Sequence, residues 1–291
     1  MTPLPYEHQT TEPLYPKVIW NRPVARHGAG RLLIIGGHAK DFSLPTAIYG
    51  LVQASGIGEC AVALPDSLLK LLSGMPDTTF VASTQAGSIS RDALGRLLEL
   101  AEDADAIAIG AGLSNNSETA VMTEKLLAMA EQPIIVFADT LIALQFNIRL
   151  VTDRADSLII LTMQELFKLA GQLSIPISIR PNGGLINKLE IIKSVKDAMA
   201  ADLVVYGSDT IVAAGDKLSV TPANPVLSRL PAAYYAVLSV FWLQNRANHY
   251  EGLTTAAWIL HQAGRDLRQQ QVPTVGPVGQ AIAAALDLAE D

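Results

Sequence analysis

Short apolar segments alternate with amphipathic helical segments along almost the whole chain, about every 25 residues. The apolar segments end in glycine or a small polar residue, as in Arg31–Gly36 and Leu158–Thr162. Parallel strands need a crossover connection, which is usually a helix and almost always right-handed. The pattern therefore predicts an α/β protein, a mostly parallel, doubly wound sheet with helices on both faces.

No change of composition divides the chain after its first 30 residues, so residues 31–291 are expected to form a single domain. Residues 1–30 contain five prolines and are expected to form an extended arm and a loop. Two alternatives stay open for this arm, which could pack on a neighbouring subunit or strap its own domain.

Charge and cysteine content exclude several classes of function. The net charge is −7 and lysine or arginine runs are absent, which disfavours nucleic acid and anionic membranes as partners. The single cysteine, Cys60, cannot form a disulfide or a cysteine-based metal site within one chain. The longest apolar stretch, residues 232–243, is shorter than the roughly 20 residues of a bilayer span. The N-terminus does not resemble a signal peptide, and we expect a cytoplasmic protein.

Polar residues and glycines follow the predicted strands. In doubly wound sheets, ligands bind outside the carboxyl ends of the strands, so these positions predict a small-molecule site. No metal ligands are assigned. The candidate ligand-binding residues are Gly37, His38, Gly110, Gly112, Asn115, Asp139, Thr162, Glu165, Gly207, Asp209, Asn224 and Arg229.

Taken in chain order, these motifs resemble the ADP/ATP-dependent NAD(P)H-hydrate dehydratase family, which has a ribokinase-like fold. The family's glycine-rich opening is similar to residues 27–38, its Gly-Pro-Gly-Leu to residues 110–113, and its Asp-Ala-Leu to residues 139–141. Its Lys-Gly-x-x-Thr is similar to residues 206–210, where the lysine is Tyr206. Its Leu-Thr-Pro-His-Pro-Gly-Glu is reduced to residues 161–165.

The resemblance implies a repair reaction in which water is eliminated from hydrated NADH or NADPH at the expense of ATP or ADP. It also implies a homo-oligomer, since the family is commonly oligomeric. ATP or ADP and the NAD(P)H hydrate are therefore the ligands expected if the family activity survives.

One stretch departs from the family. The family's phosphate loop and catalytic aspartate, Asn-Pro-Gly-Met-Ala-Thr-Gly-Gly-Ser/Thr-Gly-Asp, resemble residues 224–234 here. Asn224 and Pro225 are kept, but the aspartate position is Tyr234. The glycine positions are Val226, Leu230, Pro231 and Ala233.

These replacements oppose the family chemistry. Side chains block the close backbone approach that glycine permits, and proline lacks an N–H donor. A tyrosine phenol is a poor base at neutral pH. No catalytic residue is assigned, and we expect a degenerate active site, inactive or strongly impaired, with ligand binding or an oligomeric or regulatory role remaining.

Two alternatives stay open. The first is a working dehydratase or small-molecule kinase whose base is Asp209, Glu165 or Asp139. The second is a purely structural or regulatory partner protein. In each case residues 232–243, apolar on all sides, predict a buried helix.

Overall fold

The computed structural model describes residues 4–23, 25–178, 184–265, 267 and 273–287. Ten strands form one sheet in the order β1-β10-β9-β8-β7-β6-β5-β2-β3-β4. The strands are β1 (Glu7–His8), β2 (Arg31–Gly36), β3 (Glu59–Pro65), β4 (Thr78–Val81), β5 (Ala106–Ala111), β6 (Ile134–Val136), β7 (Ser157–Thr162), β8 (Asp202–Tyr206), β9 (Asp209–Ala214) and β10 (Lys217–Pro222).

Helices connect the strands and cover both faces of the sheet. They are α1 (Pro16–Trp20), α2 (Ser43–Ala54), α3 (Leu69–Leu72), α4 (Leu94–Glu102), α5 (Ser117–Met129), α6 (Ala138–Ala143), α7 (Arg149–Thr152), α8 (Met163–Gln172), α9 (Gly184–Lys196), α10 (Pro231–Gln244), α11 (His249–Arg265) and α12 (Val275–Asp287). Among the helices described, none is long and apolar enough to cross a bilayer.

The pairing confirms the predicted doubly wound sheet. Strands β2 to β8 pair in parallel, and only β9 runs antiparallel to its neighbours, as the hairpin with β10 requires. Side chains of β2 alternate between two cores, with Leu32 and Ile34 on one face and Leu33 and Ile35 on the other. This alternation is why the strand is apolar at every position.

Helix α10 is buried on all sides, as its sequence predicts. Every residue from Ala232 to Leu243 is buried in the core that α10 forms with α2, α11 and α12. A helix in this position has no polar face to present to solvent, which explains the absence of a charged residue along it.

The arm straps its own domain. Strand β1 pairs with β10 at the edge of the sheet. The fully buried Gln9 donates to the Thr221 hydroxyl at 3.0 Å and to the Thr254 carbonyl at 2.8 Å. Within the arm, α1 was not predicted, because its five residues are too few for a periodic pattern.

A helix follows β6 almost at once. Strand β6 ends at Val136, and α6 begins at Ala138. Asp139 therefore lies in the first turn of a helix. The Thr140 hydroxyl fixes this turn by donating to the Ile109 carbonyl at the end of β5, at 2.9 Å.

Candidate ligand site at the carboxyl edge of the sheet

Glycines let the ends of β2 and β5 approach each other. A Cβ atom on Gly36 would lie 2.1 Å from the Ala111 carbonyl oxygen, and the Gly37 N–H donates to that oxygen at 2.8 Å. Gly110 and Gly112 have φ values of +108° and +70°, which favour glycine. Because the chain order reverses between β2 and β5, this is the switch point where ligands bind in such sheets.

Asp139 faces this switch point. Its carboxylate accepts hydrogen bonds from the backbone N–H groups of Gly112 and Leu113. Burial, together with the nearby charges of Asp41 and Glu165, outweighs those bonds and raises its pKa to about 6. Of the predicted residues, the structure thus brings together Gly112, Asp139 and Glu165, with Asp41 added. Asp139 is the carboxylate at this edge that is poised to change protonation near neutral pH.

Thr162 and Glu165 form a capping box at the start of α8. The Thr162 N–H donates to the Glu165 carboxylate at 2.7 Å, and the Glu165 N–H donates to the Thr162 hydroxyl at 3.4 Å. Both side chains therefore cap the amino end of α8. The Glu165 charge still acts on Asp139.

Asp209 is held in an ion pair. The Lys188 ammonium of α9 donates to its carboxylate at 3.1 Å and to the Ser208 hydroxyl at 2.6 Å. Lys188 was not among the predicted residues, since it lies on a helix face with no strand-end signal. The neighbouring Gly207 borders open space, because a Cβ atom there would meet nothing within 4 Å.

His38 and Asn115 lie at the rim of the edge. The His38 Nδ1 atom accepts a hydrogen bond from the Lys40 N–H at 3.2 Å, and the His38 backbone pairs with Asp41. Asn115 is exposed, while Asn116 caps α5 through its side chain. The structure shows no direct contact between either predicted residue and Asp139.

The stretch that replaces the phosphate loop is a compact turn. The Asn224 side chain accepts the Val226 N–H at 2.9 Å and packs so closely on α11 that only glycine fits at Gly264. The side chains of Val226 and Leu227 are buried, and Val226 stands at a position where the family resemblance puts a glycine. Arg229 is exposed and makes no ion pair with any residue that the structure describes.

Tyr234 points into the protein rather than toward solvent. It is 1% exposed and stacks on Tyr206, with ring centroids 4.5 Å apart and planes 18° apart. Burial raises the pKa of Tyr234 to about 12, against a smaller lowering by its hydrogen bond with Thr210. Burial likewise raises the pKa of Tyr206 to about 12. Both phenols are therefore neutral at physiological pH and unsuited to accept a proton.

A second stacked pair adjoins the first. Tyr235 stacks on Phe137 with ring centroids 4.2 Å apart, and the Tyr206 hydroxyl donates to the Tyr235 hydroxyl at 3.3 Å. We call Phe137, Tyr206, Tyr234 and Tyr235 the aromatic cluster. Sequence reasoning missed Phe137 and Tyr235. The available signals were the Tyr-Tyr pair at the start of an apolar helix and an aromatic residue two positions before Asp139.

The start of α10 offers few hydrogen-bond donors. Leu230 occupies the N-cap position without a side-chain cap, and Pro231 follows at the first helical position. The Ala233 N–H is already bonded to the Leu230 carbonyl at 3.0 Å. In the described part of the chain, no group of three or more histidine, cysteine, aspartate or glutamate side chains is arranged to hold a metal ion.

A cavity of about 950 Å³ lies at the opposite end of the sheet. It is bordered by the first residues of β2 and β3 and by residues 75–79, and its charged lining residues are Arg26, Arg31, Glu59, Asp77 and Asp103. These charges have mixed sign, and Arg31 is already paired with Glu59 at 3.7 Å. The predicted ligand-binding residues lie elsewhere, so the strand-end edge remains the candidate site.

Comparison with protein families confirms the predicted family. The family described as NAD(P)H-hydrate dehydratase matches residues 52–280. The bifunctional NAD(P)H-hydrate repair enzyme Nnr of Moorella thermoacetica is 29% identical over 188 residues, which cover 63% of this chain and 34% of that enzyme. The Nnr enzyme of Salinibacter ruber is 26% identical over 247 residues, covering 82% and 44%. The chain thus spans less than half the length of these relatives.

Solved structures match over nearly the whole chain. A ribokinase-like superfamily protein from Enterococcus faecalis has a TM-score of 0.72 at 16% identity, covering 97% of this chain and 96% of that one. The ADP/ATP-dependent NAD(P)H-hydrate dehydratase of Bacillus subtilis, co-crystallized with ATP and Mg²⁺, has a TM-score of 0.65 at 17% identity, covering 96% and 99%. At this identity the likeness establishes the fold, which is ribokinase-like as predicted.

Proposed function

The chain belongs to the NAD(P)H-hydrate dehydratase family, and on that basis we propose that it is a member whose ATP-dependent chemistry is lost or strongly impaired. The observation that carries this proposal is the burial of Tyr234 at the position where the family resemblance puts the catalytic aspartate. Tyr234 stacks on Tyr206, which stands at the position of the family's lysine. At two positions where the family has a polar residue, this chain therefore has tyrosine rings that stack on each other.

The phosphate-binding half does not fit a triphosphate. An anion at a helix N-terminus needs free N–H groups and close backbone approach. Here Pro231 supplies no N–H, the Ala233 N–H is occupied, and Val226 carries a buried side chain at a position where the family resemblance puts a glycine.

The part of the strand-end edge around Gly112 and Asp139 supports retained ligand binding. Gly110, Gly112 and Asp139 lie at the switch point between β2 and β5. A partly buried carboxyl group with a pKa of about 6 can accept or donate a hydrogen bond near neutral pH. We propose that this part of the edge binds a small polar molecule carrying a hydroxyl or amide group.

A second candidate function is a working dehydratase in which Asp139 is the base. Of the three carboxylates considered from sequence, Asp209 is ion-paired with Lys188 and Glu165 caps α8. Asp139 is the one whose raised pKa suits proton transfer at neutral pH.

The test is turnover of hydrated NADH with ATP or ADP, followed by the return of reduced-nicotinamide absorbance. The Bacillus subtilis dehydratase serves as the positive control. Loss of a base typically removes about 10²–10⁴-fold and loss of an oxyanion donor about 10²–10³-fold, so we expect a rate lower by about 10⁴-fold or more.

Two variants separate the alternatives. ATP-dependent turnover near that of the control enzyme would reject the first proposal. If such turnover survives Tyr234→Phe and disappears with Asp139→Asn, the second candidate is correct. The Asn side chain still accepts the Gly112 and Leu113 N–H groups, so this variant removes the proton acceptor and keeps the fold.

A further inference from the structure

Strand β4 has an uncovered outer edge. Among the strands that the structure describes, β4 pairs with β3 alone, with Val62 opposite Thr78 and Leu64 opposite Phe80. The Val62 N–H donates to the Asp77 carbonyl at 2.9 Å, which fixes the odd-numbered residues of β4 as those that bond to β3. The backbone N–H and C=O groups of Thr78 and Phe80 therefore face away from the sheet, and no residue described in the structure bonds to them.

The free edge is sharply bounded at both ends. Beyond its carboxyl end, the Ala82 carbonyl accepts the Ser90 N–H at 2.9 Å. At its amino end, Asp77 has a φ of +53°, which turns the chain out of the strand, and Pro76 has no N–H. Only residues 78–80 can accept another strand.

This short edge is complementary to itself. We propose that two copies of the chain pair antiparallel along β4, with Thr78 of each copy opposite Phe80 of the other and Thr79 on the two-fold axis. In that register the two pairs each exchange two hydrogen bonds, and every free backbone group of the edge finds a partner. A shift of two residues either way would bring in Pro76, which lacks a donor, or Ala82, whose carbonyl is occupied.

The side chains agree with this register. Threonine faces threonine on the axis, and the Phe80 ring faces Thr78, both of which are favourable cross-strand pairs. The strand carries no proline or lysine, the residues that usually protect an exposed edge.

The test uses the full chain and sedimentation equilibrium. Thr79→Lys and Thr79→Glu each place like charges on the axis and should raise the dissociation constant of this contact by about fivefold or more. An equimolar mixture of the two variants should restore the assembly, because opposite charges then meet. Thr79→Val is the matched control that keeps size and β-propensity, and it should assemble like the unaltered chain.

The proposal is overturned if the unaltered chain is monomeric at all concentrations, or if Thr79→Lys assembles as strongly as Thr79→Val. It is also overturned if the charged variants fold, as judged by circular dichroism, but do not assemble when mixed. Amide exchange of the unaltered chain provides a test without any variant. Protection of the Thr78 and Phe80 amides should rise with protein concentration, and protection that is independent of concentration contradicts the proposal.

Discussion

Removal of the Tyr234 ring should cost much more stability than removal of its hydroxyl. The side chain is 1% exposed and stacks on Tyr206 at 4.5 Å, so Tyr234→Ala opens a cavity in a rigid part of the core. Truncation of a buried aromatic side chain costs about 3–5 kcal/mol. At roughly 2 °C per kcal/mol for a domain of this size, the thermal midpoint should fall by about 6–10 °C.

Tyr234→Phe is the matched control. It removes only the hydrogen bond with Thr210 and should cost about 1 kcal/mol. Urea unfolding followed by tryptophan fluorescence measures both variants, and Tyr206→Ala completes a double-mutant cycle whose coupling should be about 1 kcal/mol. If Tyr234→Ala costs less than about 1 kcal/mol, the ring does not fill the core and our reasoning about the site fails.

Three further predictions follow from packing and charge. A carboxyl pKa raised to about 6 means that Asp139 binds a proton in the folded state before the unfolded state does, so its contribution to stability should increase as pH falls from 7 toward 4. Asp139→Asn should therefore stabilise the protein at pH 7 by about 1 kcal/mol and flatten this dependence in urea titrations. A larger gain at pH 4 than at pH 7 would refute the assignment. Arg154→Ala should cost about 2–3 kcal/mol by urea unfolding, because the guanidinium donates to four backbone carbonyl groups at the end of α5 and before β6. The exposed Arg149→Ala should cost less than about 1 kcal/mol, and equal effects would contradict this account. Gly36→Ala should prevent folding or cost several kcal/mol, since its Cβ atom would lie 2.1 Å from a carbonyl oxygen. The control Gly95→Ala in α4 should instead stabilise the protein by about 0.5–1 kcal/mol. Similar thermal midpoints for the two variants would refute the close approach at Gly36.

The fold could be predicted because its signals are local. The alternation of apolar strands and helices requires crossovers, and crossovers of one hand leave few topologies. The same logic placed Gly37, Gly112 and Asp139 at one edge of the sheet. Short elements such as α1 and α6 escaped prediction because one or two turns do not show a period.

The roles of individual site residues could not be predicted in the same way. Thr162 and Glu165 have the Thr-x-x-Glu spacing of a capping box, yet their position after a strand suggested ligand binding. From the sequence, Asp209 and Asp139 are equivalent candidates, because each follows a predicted strand. The structure distinguishes them, because Lys188 of α9 forms an ion pair with Asp209. The state of a carboxyl group depends on neighbours that are distant in sequence, and a single sequence does not reveal them.

The aromatic cluster shows the same limit. Tyr206 and Tyr234 were each identified as replacements of family residues, but their stacking depends on the register between β8 and α10. The sequence resemblance implies that Tyr206 and Tyr234 stand where the family has a lysine and an aspartate, and the structure shows that these two rings are stacked. Whether the replacement abolishes nucleotide binding is the central question.

Isothermal titration of the unaltered chain with ATP, and separately with ADP, in the presence of Mg²⁺ tests this claim most directly. The Bacillus subtilis dehydratase, which was co-crystallized with ATP and Mg²⁺, serves as the positive control. We predict no saturable binding of either nucleotide to this chain, because Pro231 supplies no N–H at the start of α10 and the Tyr234 ring is buried at the position where the family resemblance puts the catalytic aspartate. Saturable binding at one site per chain, with an affinity comparable to that of the control enzyme, would contradict the account.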